Sequence, residues 1–568
     1  DELGRITTFQ YDARNRRTSE TAPDGGVIRW VYDGNDNVVA MTDPLGRVSQ
    51  YFYDARDQEI AMIDADGNRM AYTYDSSGNR ISVTDPLGRV TRKTYDELDR
   101  VTRVDYIAAG IVGHTTTFQY DKAGNLVQST DPLGRITQSV HDNLDRTIST
   151  TRAFGTPDAS TTKFEYDPQS NLTARIDAND NRSEFEYDRL NRVSVNRDAL
   201  NKEMVYGYDA ASNLTSVTDR RGFVTRYEYD TINRTTKTID ALLNEWNTRY
   251  DAVGNVLKLI DPLGREDRFT YDPVDRLLTS TDSVGNVTTN TYDVAGNMLT
   301  TRDGRGNLTT YTYDDLDRVA SVLDAENDLT TFTYDGVSNR LTSTDALGRV
   351  MRYSYDGLDR VVEERWLTGS NTGGPGGKDE DVTVTQYAYD VIGNLLALTD
   401  GLGNTTTWTY DNLNRKVTHT DPLSRTENYS YDPLGLVTSM TDRSSYVTDY
   451  AYDALNRLET ETWVDGLAAY DGTGDFVINY GYDSEGNLTS IVDPLSSLAM
   501  TYDGLNRVIT EDNVGTPNVP QVDLTYVFDD IGNRTSVAER IGGVAGAVTA
   551  YQYDDNDRVQ STTQSLAA

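Results

Sequence analysis

One dipeptide, Tyr-Asp, recurs from Tyr11 to Tyr553 and governs how this chain of 568 residues can fold. With His141-Asp142 and Phe528-Asp529 counted as substitutes it marks 25 repeats, and 17 of the 24 intervals between them are 21 residues long. A fixed short period of this kind is the signature of a repeat architecture, in which each unit packs on its neighbours. The stretch Tyr74–Arg89, YDSSGNRISVTDPLGR, shows the content of one unit. It holds two turn signals, Asp75-Ser76-Ser77-Gly78-Asn79 and Asp85-Pro86-Leu87-Gly88-Arg89, separated by segments rich in Thr, Val, Ile and Tyr. Turn signals every ten or eleven residues leave no room for a helix of ordinary length. The pattern therefore predicts an all-β chain of antiparallel hairpins, with strands of six or seven residues.

The turn residues follow from backbone chemistry. Asp at the first position accepts the backbone N–H two residues on, and Pro at the second has its φ preset near the required value. The fourth position must be left-handed to close a three-residue hairpin loop with a bulge. Gly takes that conformation without strain, and Asn and Asp tolerate it better than other residues. In the Tyr-Asp turns that slot is filled by Gly78 and elsewhere by Asn15, Asp99, Asn191, Ser212, Gly254, Asp275 or Gly296. A second aromatic commonly precedes the Tyr by two residues, as in Trp30 with Tyr32, Tyr311 with Tyr313 and Trp408 with Tyr410. A spacing of two puts both rings on one face of a strand, where cross-strand stacking is the expected use and sugar binding the alternative.

The departures from 21 residues are ordered. The six longer intervals all lengthen the turn opposite Tyr-Asp, in insertions near residues 101–117, 147–163, 361–386, 458–479, 508–525 and 534–550. One edge of the sheet should then be uniform and the other should carry longer hairpins, with Gly369–Glu380 projecting as the tip of the longest. Within the insertions, Val101–Gly110 and Asn533–Ala547 are the only helix-compatible spots. The pair closing the Tyr-Asp turn also alternates: Gly254-Asn255, Asp275-Arg276, Gly296-Asn297, Asp317-Arg318, Ser338-Asn339, Asp359-Arg360. The structural unit is thus expected to be two repeats, with neighbouring turns on the uniform edge interlocked by Arg donating to an Asp or carbonyl of the next.

Composition narrows the function classes. The formal net charge of −37 follows largely from Asp as turn former, and it argues against nucleic acid, heparin-like polyanions or an anionic membrane as partners. There is no cysteine and no apolar run long enough for a transmembrane helix, so disulfide bonds and membrane insertion by a helix are not expected. Hydrophobic residues are 37% of the chain, which suits a thin sheet wetted on both faces more than a thick core.

No residue qualifies as catalytic, cofactor-binding or metal-ligating. His114, His141 and His419 are far apart in sequence and read as structural. Asp64-Ala65-Asp66-Gly67-Asn68 resembles the start of a calcium loop but lacks the remaining ligands. Gly373–Gly377 has no following Lys-Ser/Thr and reads as a loop tip, not a phosphate cradle. No nucleophile, zinc or nucleotide motif is present, so the expectation is a non-enzymatic protein without cofactor.

The pattern YDxxGNxxxxTDPLGRxTxxxYDxLDRxxxxTD resembles that of the YD or RHS repeat family, which includes Rhs polymorphic toxins, cocoon-forming subunits of insecticidal toxin complexes, wall-associated proteins and teneurins. The resemblance spans essentially all 568 residues and implies a spiralling antiparallel β-hairpin meander, either shell-like or a solenoid or fibre. It implies one continuous array over residues 1–568, beginning in mid-repeat at Asp1–Arg5 and so a piece of a longer protein. The implied function is a structural scaffold of a secreted or cell-surface bacterial protein that encloses or delivers a C-terminal effector. The alternative is an extracellular fibre, stalk or adhesin that stacks on copies of itself and binds carbohydrate. Relatives with a payload close the shell with a plug segment, in some cases self-cleaved by paired Asp; no stretch of this sequence carries that pattern.

Overall fold

The computed structural model describes residues 1–108, 111–367, 381–465, 474–517 and 519–566; the expected loop tip Gly369–Glu380 and the Gly373–Gly377 run lie outside them. Among the described residues there are fifty strands and no helix. Each strand pairs antiparallel with the strand before it and the strand after it, so the sheet is one unbroken meander. A six-residue strand ending in the repeat Tyr, such as Arg69–Tyr74, alternates with a five-residue strand, such as Arg80–Thr84. The six-residue strand is of the expected length and the five-residue one is shorter, because each turn claims five residues.

The turns close as their residues require. The Asp75 N–H donates to the Asn79 carbonyl at 3.0 Å, and the Gly78 N–H donates back to the Asp75 carbonyl at 3.3 Å. Asp75 Oδ1 accepts the Ser77 and Asn79 N–H groups, both at 2.9 Å. At the other turn Asp85 Oδ1 accepts from Leu87 at 3.0 Å and Arg89 at 2.8 Å. The left-handed slot holds Asn15, Asp99, Asn191, Ser212 and Asp275 at φ 60°, 58°, 59°, 72° and 68°. The two turn types differ in one respect: the Tyr-Asp hairpins shift register just before the Tyr, as between Thr73 and Tyr74, whereas the short Asp-Pro hairpins pair without a break and only lengthened ones, as at Tyr106/Ile107, shift. A bulge bends its strand and increases twist, and here it recurs at every repeat along one edge.

All six insertions lengthen Asp-Pro-side hairpins, as expected. Two readings are corrected. Val101–Ala108, and Arg534–Ile541 with Val544–Tyr553, are strands and not helical segments. Each extends an existing ladder, where the neighbouring strand already satisfies the backbone groups that an isolated turn of helix would have to pair within itself. Ring stacking is also rarer than expected among the described residues, and the stacked pairs are Tyr106–His114, Tyr387–Tyr389, Trp408–His419 and Trp463–Phe476. The repeat Tyr instead reaches back with its hydroxyl to the first carbonyl of the preceding strand, as Tyr74 Oη to Glu59 O at 2.7 Å and Tyr313 Oη to Met298 O at 2.9 Å.

Burial is thin throughout. The buried apolar residues among those described are Ala61, Ile107, Ala153, Ala174 and Met500, and no large side chain is fully buried. Among the described residues, neither face of the sheet packs on another layer.

The ribbon coils. Arg5 precedes the first strand, and its guanidinium meets Asp275, which follows the twenty-fifth. Arg47 follows the fourth strand and meets Asp317 after the twenty-ninth; Arg265 follows the twenty-fourth and meets Asp557 after the forty-ninth. Contacts of the same seam also run 23 strands apart, as Arg276 after the twenty-fifth strand meets Asp24 after the second and Arg318 after the twenty-ninth meets Asp66 after the sixth, so each turn of the second winding sits between two turns of the first and one winding is about 24 strands. At ~4.8 Å per strand this is a circumference of ~120 Å and a diameter of ~38 Å between backbones. Because both offsets are odd, the Asp-Pro edge of the first winding abuts the Tyr-Asp edge of the second.

Candidate functional site

Two polar systems hold the coil, one along an edge and one between windings. Along the Tyr-Asp edge each turn donates to the next. In the Arg form the guanidinium bonds its own Asp, stacks over the following repeat Tyr and donates to the following Asp carbonyl. For Arg276 these contacts are Asp272 Oδ2 at 2.5 Å, the Tyr292 ring centroid at 5.1 Å and Asp293 O at 2.7 Å. Arg16, Arg192, Arg234 and Arg318 do the same with Tyr32, Tyr208, Tyr250 and Tyr334. In the Asn form the amide donates to the slot residue of the next turn: Asn79 to Asp99 at 2.6 Å, Asn339 to Asp359 at 2.6 Å, Asn213 to Asn233 at 2.9 Å. This is the interlock expected of the two-repeat unit, with all donors pointing the same way along the chain.

The seam between windings was not foreseen. Its donors lie in alternate Asp-Pro-side turns of the first winding: the closing Arg in most, the closing Asn181 in one, and Arg221 from the third position of another. Arg5 binds Asp275 through both carboxylate oxygens, at 2.7 and 3.1 Å. Arg47 reaches Asp317 Oδ2 at 2.7 Å, and Arg89 reaches Asp359 Oδ1 at 2.6 Å and the Gly357 carbonyl at 3.2 Å. Arg135 donates to Asn414 Oδ1 at 2.5 Å, Asn181 to Asn456 at 3.3 Å, and Arg221 to Asn506 Oδ1 at 2.5 Å. Arg265 binds Asp557 at 2.8 and 3.2 Å. In return, Arg276 and Arg318 of the second winding reach Asp24 at 3.0 Å and Asp66 at 2.9 Å. Planar guanidinium groups suit such paired acceptors, since two parallel bonds fix orientation as well as distance.

The electrostatics follow from these contacts. Arg5 holds the Asp275 carboxyl below the usual carboxylate range, and Arg47 and Arg265 do the same to Asp317 and Asp557. At Asp359 burial pushes the other way, and the bonds from Arg89 and Asn339 outweigh it. Arg47, Arg89 and Arg265 are correspondingly raised.

The histidines considered in the sequence are not brought together. His114 stacks on Tyr106 at 5.1 Å in the first long hairpin, and burial lowers its pKa. His141 takes a repeat Tyr position, and its buried Nδ1 has no hydrogen-bond partner. His419 lies 2.9 Å from Glu427 and stacks on Trp408. In the Asp64–Asn68 loop, Asp64 is occupied by its own turn and Asp66 faces Arg318 across the seam. Among the described residues no group of three or more His, Cys, Asp or Glu is placed to hold a metal ion, and no helix is long and apolar enough to cross a membrane. Sequence reasoning missed the seam arginines although a signal existed: Arg5, Arg47 and Arg89 recur every 42 residues, the period already noted on the other edge.

Comparison with known proteins agrees with this geometry. The family model for the teneurin YD-shell matches residues 45–220, and that for the RHS repeat matches residues 1–27, 208–242, 250–287, 271–308, 292–329, 389–426, 431–466 and 482–516. No curated protein matches the sequence. Among solved structures, TcdB2-TccC3 without its hypervariable C-terminal region superposes with a TM-score of 0.67 at 16% identity, over 97% of this chain and 36% of the other. The Tc holotoxin pore of Photorhabdus luminescens gives 0.62 at 15% identity, over 97% and 36%, and TcdB2-TccC3 gives 0.56 at 16%, over 97% and 34%. The chain thus spans about a third of the length of these proteins, and at such identity the likeness is one of fold. In its repeat sequence and its coiled all-β sheet alike, the chain belongs to the YD/RHS repeat family.

Proposed function

We propose that this chain is a length of wall in a hollow β-sheet shell whose bore houses a polypeptide, such as an effector carried C-terminal to the repeats. The observation that carries the reading is the seam. It brings the ribbon back on itself after about 24 strands, and in this reading the coil, with so little buried on either face, surrounds open space. Allowing ~5 Å of side chain on each wall, a ~38 Å backbone diameter leaves a bore of ~28 Å, wide enough for an extended or helical segment ~10–12 Å across. Residues 1–568 act as one continuous array in this reading, with a structural and not a catalytic role. The likeness to TcdB2-TccC3, whose crystal form without a hypervariable C-terminal region is among the neighbours, supports a variable passenger and a protein that works outside the cell. A fibre of stacked repeats would instead need a filled, narrow section and contacts between chains; here one edge of each winding is taken up within the chain.

Small-angle scattering from the isolated chain tests this. A hollow cylinder of roughly the stated diameter, independent of protein concentration, is expected. A solid rod, or particles that lengthen with concentration, would favour the fibre.

A further inference from the structure

The number of strands per winding is itself encoded, and we infer that the alternation of slot residues is the code: it acts as a ruler that fixes the bore. Seam donors and acceptors both repeat every two repeats, which is four strands. In the second winding the slot residues of successive Tyr-Asp turns run Asp275, Gly296, Asp317, Ser338, Asp359, Gly393, Asn414, Gly435, Asn456, Gly486, Asn506, Gly532, Asp557. Every other slot offers a carboxylate or amide oxygen, and those between offer none beyond the Ser338 hydroxyl. All seven donors, Arg5, Arg47, Arg89, Arg135, Asn181, Arg221 and Arg265, meet an oxygen-bearing slot.

The offset must be odd, because the seam joins opposite edges of the ribbon. Each donor lies between two turns of the second winding, 23 and 25 strands on, and takes the oxygen of the one 25 on; winding tighter or looser by one hairpin would put a Gly or Ser slot on the side to which it reaches. Arg5 would face Gly254 or Gly296, and Arg89 would face Ser338 or Gly393. The next in-phase offsets are 21 and 29 strands, which would change the circumference by about 16% and demand a different curvature at every strand. Sheet twist thus selects a coarse range, and the alternating slots select one value within it.

The insertions support this. Sequence separation across the seam drifts from 270 residues at Arg5–Asp275 through 279 at Arg135–Asn414 to 292 at Arg265–Asp557, yet the strand offset stays at 25. Winding counts strands, not residues, so hairpins can lengthen without disturbing the bore.

The inference rests on the shell reading, and deletions within the full chain test it separately. Removing residues 188–208 takes out one repeat, and removing 188–229 takes out two. The larger deletion keeps donors and slots in phase at 25 strands, so its seam amides should stay as protected from hydrogen exchange as in the parent, with the bore unchanged. The smaller deletion puts Arg5, Arg47, Arg89 and Arg135 opposite Gly296, Ser338, Gly393 and Gly435. It should lose at least tenfold protection at those turns, or shrink the upstream winding by about 8%, to a donor offset of 23 strands. Where the smaller deletion gives no folded protein, a re-phased version of it carrying Gly296→Asp, Ser338→Asp, Gly393→Asp and Gly435→Asn is expected to restore folding. A Cβ added at Gly296 or Gly393 meets nothing within 4 Å, and each slot must relax from φ 102° or 105° toward the 68° and 60° of Asp275 and Asp317 to take the Asp. Equal seam protection and bore in both deletions, or no recovery on re-phasing, would overturn the ruler while leaving a hollow cylinder in the parent intact. A parent without a bore would instead overturn the shell.

Discussion

Arg89 and Arg349 close the same Asp-Pro-Leu-Gly-Arg or Asp-Ala-Leu-Gly-Arg turn, one in each winding, and they differ in everything beyond it. Each bonds the Asp that opens its own turn, Arg89 to Asp85 at 2.5 Å and Arg349 to Asp345 at 2.6 Å. Arg89 is 10% exposed and also holds Asp359 and the Gly357 carbonyl of the next winding, whereas Arg349 is 55% exposed and has no second partner among the described residues. The intra-turn pair is thus a property of the hairpin, and the second contact a property of the winding. A local sequence builds the turn; only coiling gives its arginine a distant partner.

The largest break expected in this comparison comes from acid. Asp275, Asp317 and Asp557 have folded pKa values depressed by seam arginines. Their contribution is fully present above the unfolded carboxylate value, ~3.9, and is lost as pH falls through the lower folded values. Scattering below about pH 4 should show the windings separating, and high salt should move that transition to higher pH by screening the pairs. An unchanged profile down to pH 2 would remove the electrostatic account of the seam.

Next in size are single arginines. Arg276→Ala removes the lateral contacts to Asp293 and Tyr292 together with the seam contact to Asp24, and should cost about 2–3 kcal/mol in local opening by hydrogen exchange. Arg234 makes the same lateral contacts, to Asp251 at 2.7 Å and the Tyr250 ring at 4.6 Å. Arg234→Ala should cost less, and the difference between the two isolates the seam. Likewise Arg89→Ala should cost about 1.5–3 kcal/mol by releasing charge-assisted bonds, whereas Arg349→Ala should leave stability within the scatter of surface substitutions. Equal effects at Arg89 and Arg349 would mean that the seam adds nothing.

The smallest effect is a gain. His141 replaces the Tyr whose hydroxyl elsewhere ties one hairpin to the one before it. His141→Tyr should reach the Leu126 carbonyl, by analogy with Tyr187 to Leu172 at 2.8 Å, and raise local stability by about 0.5–1.5 kcal/mol. No gain would assign the ties to packing and not to the hydroxyl.

How much of this could be read from residues alone follows from the range of each interaction. The turns were legible because Asp75, Gly78 and Asn79 act on one another within five residues. The lateral interlock was legible because Gly254-Asn255 and Asp275-Arg276 alternate in plain view and lie one repeat apart. The seam was not, because the partner of Arg5 depends on how far each strand turns from the last, a small angle summed over 25 strands that no local pattern states. The strand at Val101–Ala108 was misjudged for a related reason: its own residues permit a helix, and the ladder already present beside it decides otherwise. Tyr74 and its counterparts were placed on the correct face, but their hydroxyls and the guanidinium above each ring proved to matter more than ring-to-ring contact.

The closure of the ribbon is the claim on which the rest stands, and an absence of native cysteine makes it directly testable. A Cβ on Gly336 would lie 3.1 Å from that of Pro86 across the seam, so a parting of under about 1 Å brings the pair to the ~3.8 Å a disulfide needs. The Pro86→Cys, Gly336→Cys double variant, oxidised at low protein concentration and digested without reduction, should yield one intrachain linked peptide pair, while Pro86→Cys with Val294→Cys should yield none. Failure of the first pair to link, or linkage only between chains, would contradict a sheet whose second winding seats on its first.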